Sequence, residues 1–209
     1  MMNTLTILYT QNLNGDLDKL PRLARAITQH RRAAEGRVLL LDMGNACAFA
    51  AEECTLTDGR AAPIVLDAMG YDAANVRGYL SRASREKLRE NYLNIALADE
   101  DQPIVLDGVA LADVPPDALP HWLHIALDTA PTTHISPNPT LNNIHTLTLA
   151  TVTAGQIGVT AIAGTGNTVR LVHTDIITPP TQTRPDATIA GAVEFVRDEV
   201  RFLKRKRSR

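Results

Sequence analysis

The chain has 209 residues, 44% of them apolar and only 4% aromatic, with a formal charge of −2. That length supports one large domain or two small ones around an aliphatic core, with little aromatic surface for stacking on bases or sugars. The charge is uneven: the last six residues, KRKRSR, hold five of the 21 basic groups and the remainder carries a net −7, which argues against a broad nucleic-acid footprint.

The chain opens with LTILY, a short apolar run rich in strand formers, closed by TQNLNGD. DLDKLPRLARAITQHRRAAEG then places Leu20, Leu23, Ala24 and Ile27 on one helical face, with Gly36 as the stop. RVLLLDMG is a second apolar run without alternation, as a strand buried on both faces requires. The pattern so far is β-α-β. TDGRAAPIVLDAMGYD predicts a helix ending at Gly70, AANV a third short strand, and SRASREKLREN an exposed helix capped by serine. YLNIALA, QPIVLDG and HWLHIAL are strand candidates. Half of the twelve prolines fall in residues 113–143. Residues 144–178, rich in Thr, Val and Ile, predict three strands joined by turns at Gly155 and at GTGN. Pro185 and Asp186 open a last helix with an apolar stripe of Ile189, Val193, Val196, Val200 and Leu203. Neither an internal repeat nor a domain-separating linker is visible.

Two cysteines, Cys47 and Cys54, do not make a disulfide framework and are expected to be small buried thiols. No apolar run reaches the length of a membrane span and the N-terminus lacks a basic region, so a cytoplasmic location without a membrane partner is expected.

Taken together, LTILYTQNLNGDLDKLPRLARAI, VLLLDMGN, LDAMGYDAANVRGYL and AGQIGVTAIAG resemble, in order and spacing, the calcineurin-like metallophosphatases, and in particular their 5′-nucleotidase branch. The resemblance implies an α/β fold: a layered sandwich of mainly parallel or mixed β-sheet flanked by helices, here with an incomplete second half. It also implies two divalent metals held by Asp and His of the first motif, Asp of the second and Asn of the third, with a catalytic His after that Asn. Matched residue by residue, those positions hold Asn12, Asn14, Asn45, Gly78 and Tyr79. The later histidine motifs of the family have no counterpart.

These departures fall on the chemistry. Two dications at the separation of a two-metal site repel by roughly 20 kcal/mol at an effective dielectric of 20, and a bridging carboxylate offsets much of that. An asparagine amide is neutral and offsets far less. A free phenol titrates near 10, so Tyr79 cannot replace histidine as a general acid. Arg77 beside it adds a positive charge suited to a phosphate or carboxylate. No cofactor is therefore expected. The leading expectation is a non-catalytic relative that binds a protein partner, a second copy of itself or a small anion. Asn12, Asn14, Asn45, Arg77, Gly78 and Tyr79 are its pocket candidates.

Alternatives remain open. Asp16 or Asp42 can serve a hydrolase with non-standard ligands, although Asp42 before Gly44 also reads as a turn residue. His121 and His124 have the spacing of a helical metal pair, but the prolines nearby favour packing roles. GTGNT lacks the lysine and helix of a phosphate loop. The basic tail, residues 204–209, offers a nucleic-acid or lipid grip. An incomplete second half leaves a sheet edge or apolar face open, which a homodimer or the last helix can cover.

Overall fold

The computed structural model describes residues 3–91, 93–117, 121–137, 144–165 and 168–208. Its first half is built as the apolar runs dictate. Strand β1 (Asn3–Thr10) leads through a short 3-10 turn into helix α1 (Leu20–Ala33), then strand β2 (Arg37–Asp42). Two helices follow, α2 (Glu52–Leu56) and α3 (Ala61–Ala68), then β3 (Ala73–Asn75), α4 (Arg82–Glu90) and β4 (Ala96–Ala98). The predicted serine cap is in place, with Ser81 Oγ accepting from the Ser84 backbone N–H. Helix α4 is less exposed than its charge suggested: Arg85 is buried and ion-paired with Asp99.

β1 to β4 pair in parallel. Their register is fixed by matched apolar residues, with Ile7 opposite Leu39, Leu8 opposite Leu40 and Tyr9 opposite Leu41. Alternate residues enter two separate cores. Leu8, Leu40 and Ala74 meet the helices, while Ile7, Tyr9, Leu39 and Leu41 meet a second sheet. Both faces are covered, which is why the runs show no alternation. Each fully buried Leu or Ile stabilises the fold by roughly 1.5–3 kcal/mol.

The second sheet is fuller than the proline-rich sequence suggested. It joins β5 (Ile104–Leu106), β6 (Val109–Ala112), β7 (Leu123–Ala126), β8 (His134–Pro137) and β9 (His145–Thr148) in the order β5-β6-β7-β9-β8. β6 and β8 were not separable from loops by pattern, because one is four small or branched residues and the other is largely exposed. The chain then returns to the first sheet through β10 (Ile157–Thr165) and β11 (Thr168–Ile177), giving the order β11-β10-β1-β2-β3-β4. The centre of the predicted GTGN turn lies outside the described residues. Gly158 sits opposite Tyr9, and a Cβ there would come within 2.0 Å of the Tyr9 ring. The ring therefore lies across the strand and reaches Ala150, where its hydroxyl donates to the carbonyl at 3.0 Å.

Helix α5 (Ala187–Arg207) begins at the predicted cap, with Asp186 accepting from the Thr188 and Ile189 N–H groups. Its stripe of Ile189, Val193, Val196 and Val200 is buried within the chain, against α1, α2 and α3. Three ion pairs reinforce that seat: Lys204 to Glu52 at 2.6 Å, Arg60 to Glu199 at 3.0 Å and Arg197 to Asp18 at 2.8 Å. The stripe thus covers the helix layer of its own chain. No helix among the described residues is long and apolar enough to cross a membrane.

One expectation is corrected. Cys47 and Cys54 are not free thiols but a disulfide, closing a loop across a sequence separation of seven. Spacing alone could not show that the chain folds back between them. Such bonds persist in oxidising compartments and are rare in reducing ones. Replacing both cysteines by alanine is expected to lower stability by about 2–3 kcal/mol, read as a shift in the urea unfolding midpoint under non-reducing conditions.

Candidate functional site

The C-terminal ends of β1, β2 and β3 open into a cleft of about 390 Å³, lined by Gln11, Met43, Gly44, Asn45, Asn75, Arg77, Leu127, Asp128 and Thr129. Its walls are two loops that follow β1 and β2. They are joined by backbone hydrogen bonds from Asn12 to Gly44, Asn14 to Asn45 and Gly15 to Ala46, at 2.8–2.9 Å. Asn12, Asn14 and Asn45 all have left-handed backbone, with φ between 54° and 58°. Asparagine tolerates that region better than most residues with a Cβ. Gly15 shares the left-handed backbone, with φ +84°, and is needed for a second reason: a Cβ there would lie 2.6 Å from Ala51 Cβ and 2.9 Å from Cys54 Sγ. The disulfide therefore backs the first loop directly.

One hydrogen bond joins two of these amides, and the other two bonds go to backbone carbonyls. Asn45 Nδ2 donates to Asn12 Oδ1 at 2.9 Å, Asn12 Nδ2 donates to the Val152 carbonyl, and Asn14 Nδ2 donates to the Asn12 carbonyl. Asn75, unremarked in the sequence except as part of AANV, is buried at the cleft floor. Its Nδ2 donates to Met43 at 3.2 Å and Leu127 at 3.4 Å, and its Oδ1 accepts from the Arg77 N–H. Gln11 exchanges hydrogen bonds with Thr129. The Arg77 guanidinium reaches Asp113 at 2.7 Å, Asp128, and Glu100 at 3.9 Å. One positive charge thus stands among three negative ones.

The other candidates scatter. Gly78 is exposed, with φ +80° and open space around it. Tyr79 does not line the cleft: it is buried in the helix-side core, and its hydroxyl has no hydrogen-bond partner among the described residues. Burial, with the charge of Asp42 adding to it, pushes that phenol well above its ordinary range. Asp16 faces a separate groove of about 510 Å³ and pairs with Lys19 at 2.9 Å. His124 lies on β7 rather than a helix, with its ring nitrogens 2.9 Å from the Ala112 carbonyl and 3.3 Å from Thr146 Oγ1.

Asp42 is the one carboxylate beneath the cleft and is fully buried. It accepts from Thr10 Oγ1 at 2.8 Å and from the Gly44 N–H at 3.1 Å, and Thr10 Oγ1 also contacts the Tyr71 hydroxyl at 2.9 Å. Burial raises its pKa to about 7, against the lowering effect of those two hydrogen bonds. Among the described residues, no three His, Cys, Asp or Glu side chains converge as a metal site. Gln11, Asn75, Asp128 and Thr129 were missed because they approach only through the two-sheet sandwich. The sole local signal was Asn75, a polar residue ending an apolar strand.

No family model matches the sequence, and no curated protein matches it. Solved structures do. A calcineurin-like phosphoesterase, YfkN from Bacillus subtilis, superposes with a TM-score of 0.58 at 12% identity, over 98% of this chain and 100% of that one. A 5′-nucleotidase precursor from Thermus thermophilus gives 0.62 at 11% identity, over 94% of this chain and 59% of that one. The sulfate thiohydrolase SoxB of Thermus thermophilus gives 0.50 at 12%, over 95% and 60%. Against the latter two the chain spans about three-fifths of their length. At such identities the likeness is one of fold, and it agrees with two mixed sheets flanked by helices.

Two predictions follow from this geometry. Because Asp42 has a folded pKa above its unfolded one, the stability its protonation confers is complete below about pH 4 and fades as pH rises through about 7. Asp42→Asn keeps the shape and removes the titration. The variant should therefore gain on the wild type by a few kcal/mol (~1.4 per pKa unit) between pH 4 and pH 8 in urea titrations. At exposed Asn14, substitution by Gly should cost under ~0.5 kcal/mol and by Val about 1–2 kcal/mol, measured the same way.

Proposed function

We propose that this protein is a non-hydrolytic protein on the metallophosphatase fold, whose cleft at the strand ends takes part in binding a protein partner. One observation carries the reading: three of the ligand positions hold neutral amides, two of them hydrogen-bonded to each other. Asn12 and Asn45 are hydrogen-bonded at 2.9 Å, and the position matched to the catalytic histidine, Tyr79, is buried in the core. Two divalent ions do not fit this donor set. Hard cations require anionic oxygens and borderline ones imidazoles, and the cleft presents neither among those positions.

Of the partner classes the sequence left open, a small anion is disfavoured by charge. Arg77, the cation suited to it, is flanked by Asp113, Asp128 and Glu100. An incoming phosphate would have to displace carboxylates already in contact and then sit among them. A protein surface bearing its own donors meets no such conflict. Among proteins, a second copy of the chain is the simplest partner. Light scattering that returns the monomer mass at high concentration removes that choice and leaves a different protein.

The hydrolase reading is tested on the purified chain. Metal analysis, and turnover of an aryl phosphodiester and a 5′-nucleotide with added Mn²⁺ or Mg²⁺, should give substoichiometric metal and blank rates. Chelator-sensitive turnover, or two ions per chain, would overturn the proposal. The triple variant Asn12→Asp, Asn14→His, Asn45→Asp should restore no turnover. It turns the 2.9 Å amide pair into two carboxylates, so at least one of them takes up a proton. Added divalent ion should raise the melting temperature of this variant and not that of the wild type.

A further inference from the structure

All three phenylalanines of the chain are exposed: Phe49 by 58%, Phe195 by 64% and Phe202 by 58%. Single exposed apolar residues are ordinary. Having every Phe outside, in a chain so poor in aromatics, is not explained by the core. Phe195 and Phe202 lie seven residues apart on α5 and so share one face. That face is distinct from the stripe of Ile189, Val193, Val196 and Val200 that holds the helix to the body. Thus α5 carries, besides its covered stripe, an uncovered pair of aromatic rings on its outer side.

The charges around the outer face are not symmetrical. Asp198 and Glu199 stand three and four residues after Phe195, but each is already paired, Asp198 with Arg201 at 2.7 Å and Glu199 with Arg60 at 3.0 Å. Arg205 and Lys206 stand three and four residues after Phe202, on the same side. With Arg207 they have no ion pair among the described residues. Phe49 lies in the loop before α2, whose Glu52 binds Lys204, so the third ring is tethered near the same helix end. An outward aromatic pair followed by unneutralised cations is the pattern of a helix that lies on an anionic lipid surface, rings in the acyl boundary and cations at the headgroups.

We infer that the outer face of α5, centred on Phe195 and Phe202 and flanked by Arg205 and Lys206, docks the protein on the surface of a membrane rich in anionic lipid. This is attachment in the plane of the interface and needs no spanning segment. A nucleic acid fits less well. The rings project from a convex helix instead of lining a groove in which bases stack, and the remainder of the chain is acidic.

Flotation with vesicles tests this on the intact chain. Vesicles of phosphatidylcholine with roughly one-third phosphatidylserine, in about 0.1 M salt, should carry the protein, and pure phosphatidylcholine should not. Phe195→Ala with Phe202→Ala should lower partitioning at least about tenfold. Arg205→Gln with Lys206→Gln should lower it on the order of thirtyfold. Both variants should keep the wild-type melting temperature, since the side chains replaced are exposed. No flotation with the anionic vesicles overturns the inference, as does Phe-independent flotation. Retention on a duplex oligonucleotide in place of vesicles reassigns the face to nucleic acid. Self-association lost in the Phe variant, without vesicle binding, reassigns it to a second copy.

Discussion

The hydrogen bonds that join the loop after β1 to the loop after β2 are the constraint on which the cleft depends. Asn12, Asn14 and Gly15 each donate a backbone N–H to the facing loop at Gly44, Asn45 and Ala46. Parallel strands cannot be connected by a tight turn, so their ends need some other tie. Here five residues of the two loops turn left-handed, Asn12, Asn14, Asn45, Gly15 and Gly44, to bring backbone donors and acceptors face to face. The Cys47–Cys54 disulfide then limits how far the second loop can drift, and Gly15 leaves room for its sulfur. Local strain at three residues is offset by three backbone bonds, a covalent link and the side-chain bond from Asn45 to Asn12.

Beneath that tie lies a polar seam in an otherwise apolar layer. Thr10 and Asp42, opposite each other in the β1–β2 register, are both fully buried. Thr10 passes a hydrogen bond between Asp42 and Tyr71, while the Gly44 N–H caps the other carboxylate oxygen. A buried carboxylate is costly when ionised, and a pKa near 7 places the change of charge where small environmental shifts matter. The seam also gives Gly44 its place, since this residue donates its N–H to Asp42 and accepts from the Asn12 N–H through its carbonyl. One residue, Gly44, thus touches both the buried carboxylate and the cleft wall.

Much of this was legible locally. The unalternating runs at residues 5–9 and 37–42 specified central parallel strands, the face of Leu20, Leu23, Ala24 and Ile27 specified α1, and Asp186 specified where α5 starts. The four motif-like segments pointed to the fold that solved structures share. What stayed hidden depends on distant chain. β6 and β8 are strands only because β7 and β9 give them partners. The paired cysteines, the Arg77 cluster with Asp113 and Asp128, and the Gln11–Thr129 contact join segments that sequence spacing cannot relate. Tyr79 read as a pocket residue by position in a motif, but Gly78 turns the backbone with φ +80° and the ring enters the core instead.

Left-handed geometry alone does not account for asparagine at these positions. Aspartate adopts the same region in this chain, at Asp58 with φ 51° and Asp107 with φ 46°. Both are turn residues, and neither faces another carboxylate in a cleft. At positions 12 and 45 the side chains meet at 2.9 Å. Two carboxylates at that distance repel by about 6 kcal/mol at an effective dielectric of 20, far more than the roughly 1 kcal/mol at stake in the choice of turn residue. A dication between them reverses the sign of that term; without one, the amide is the side chain that keeps the same shape and adds an attractive bond. The choice of Asn over Asp is thus set by charge, while the backbone only narrows the field to the two.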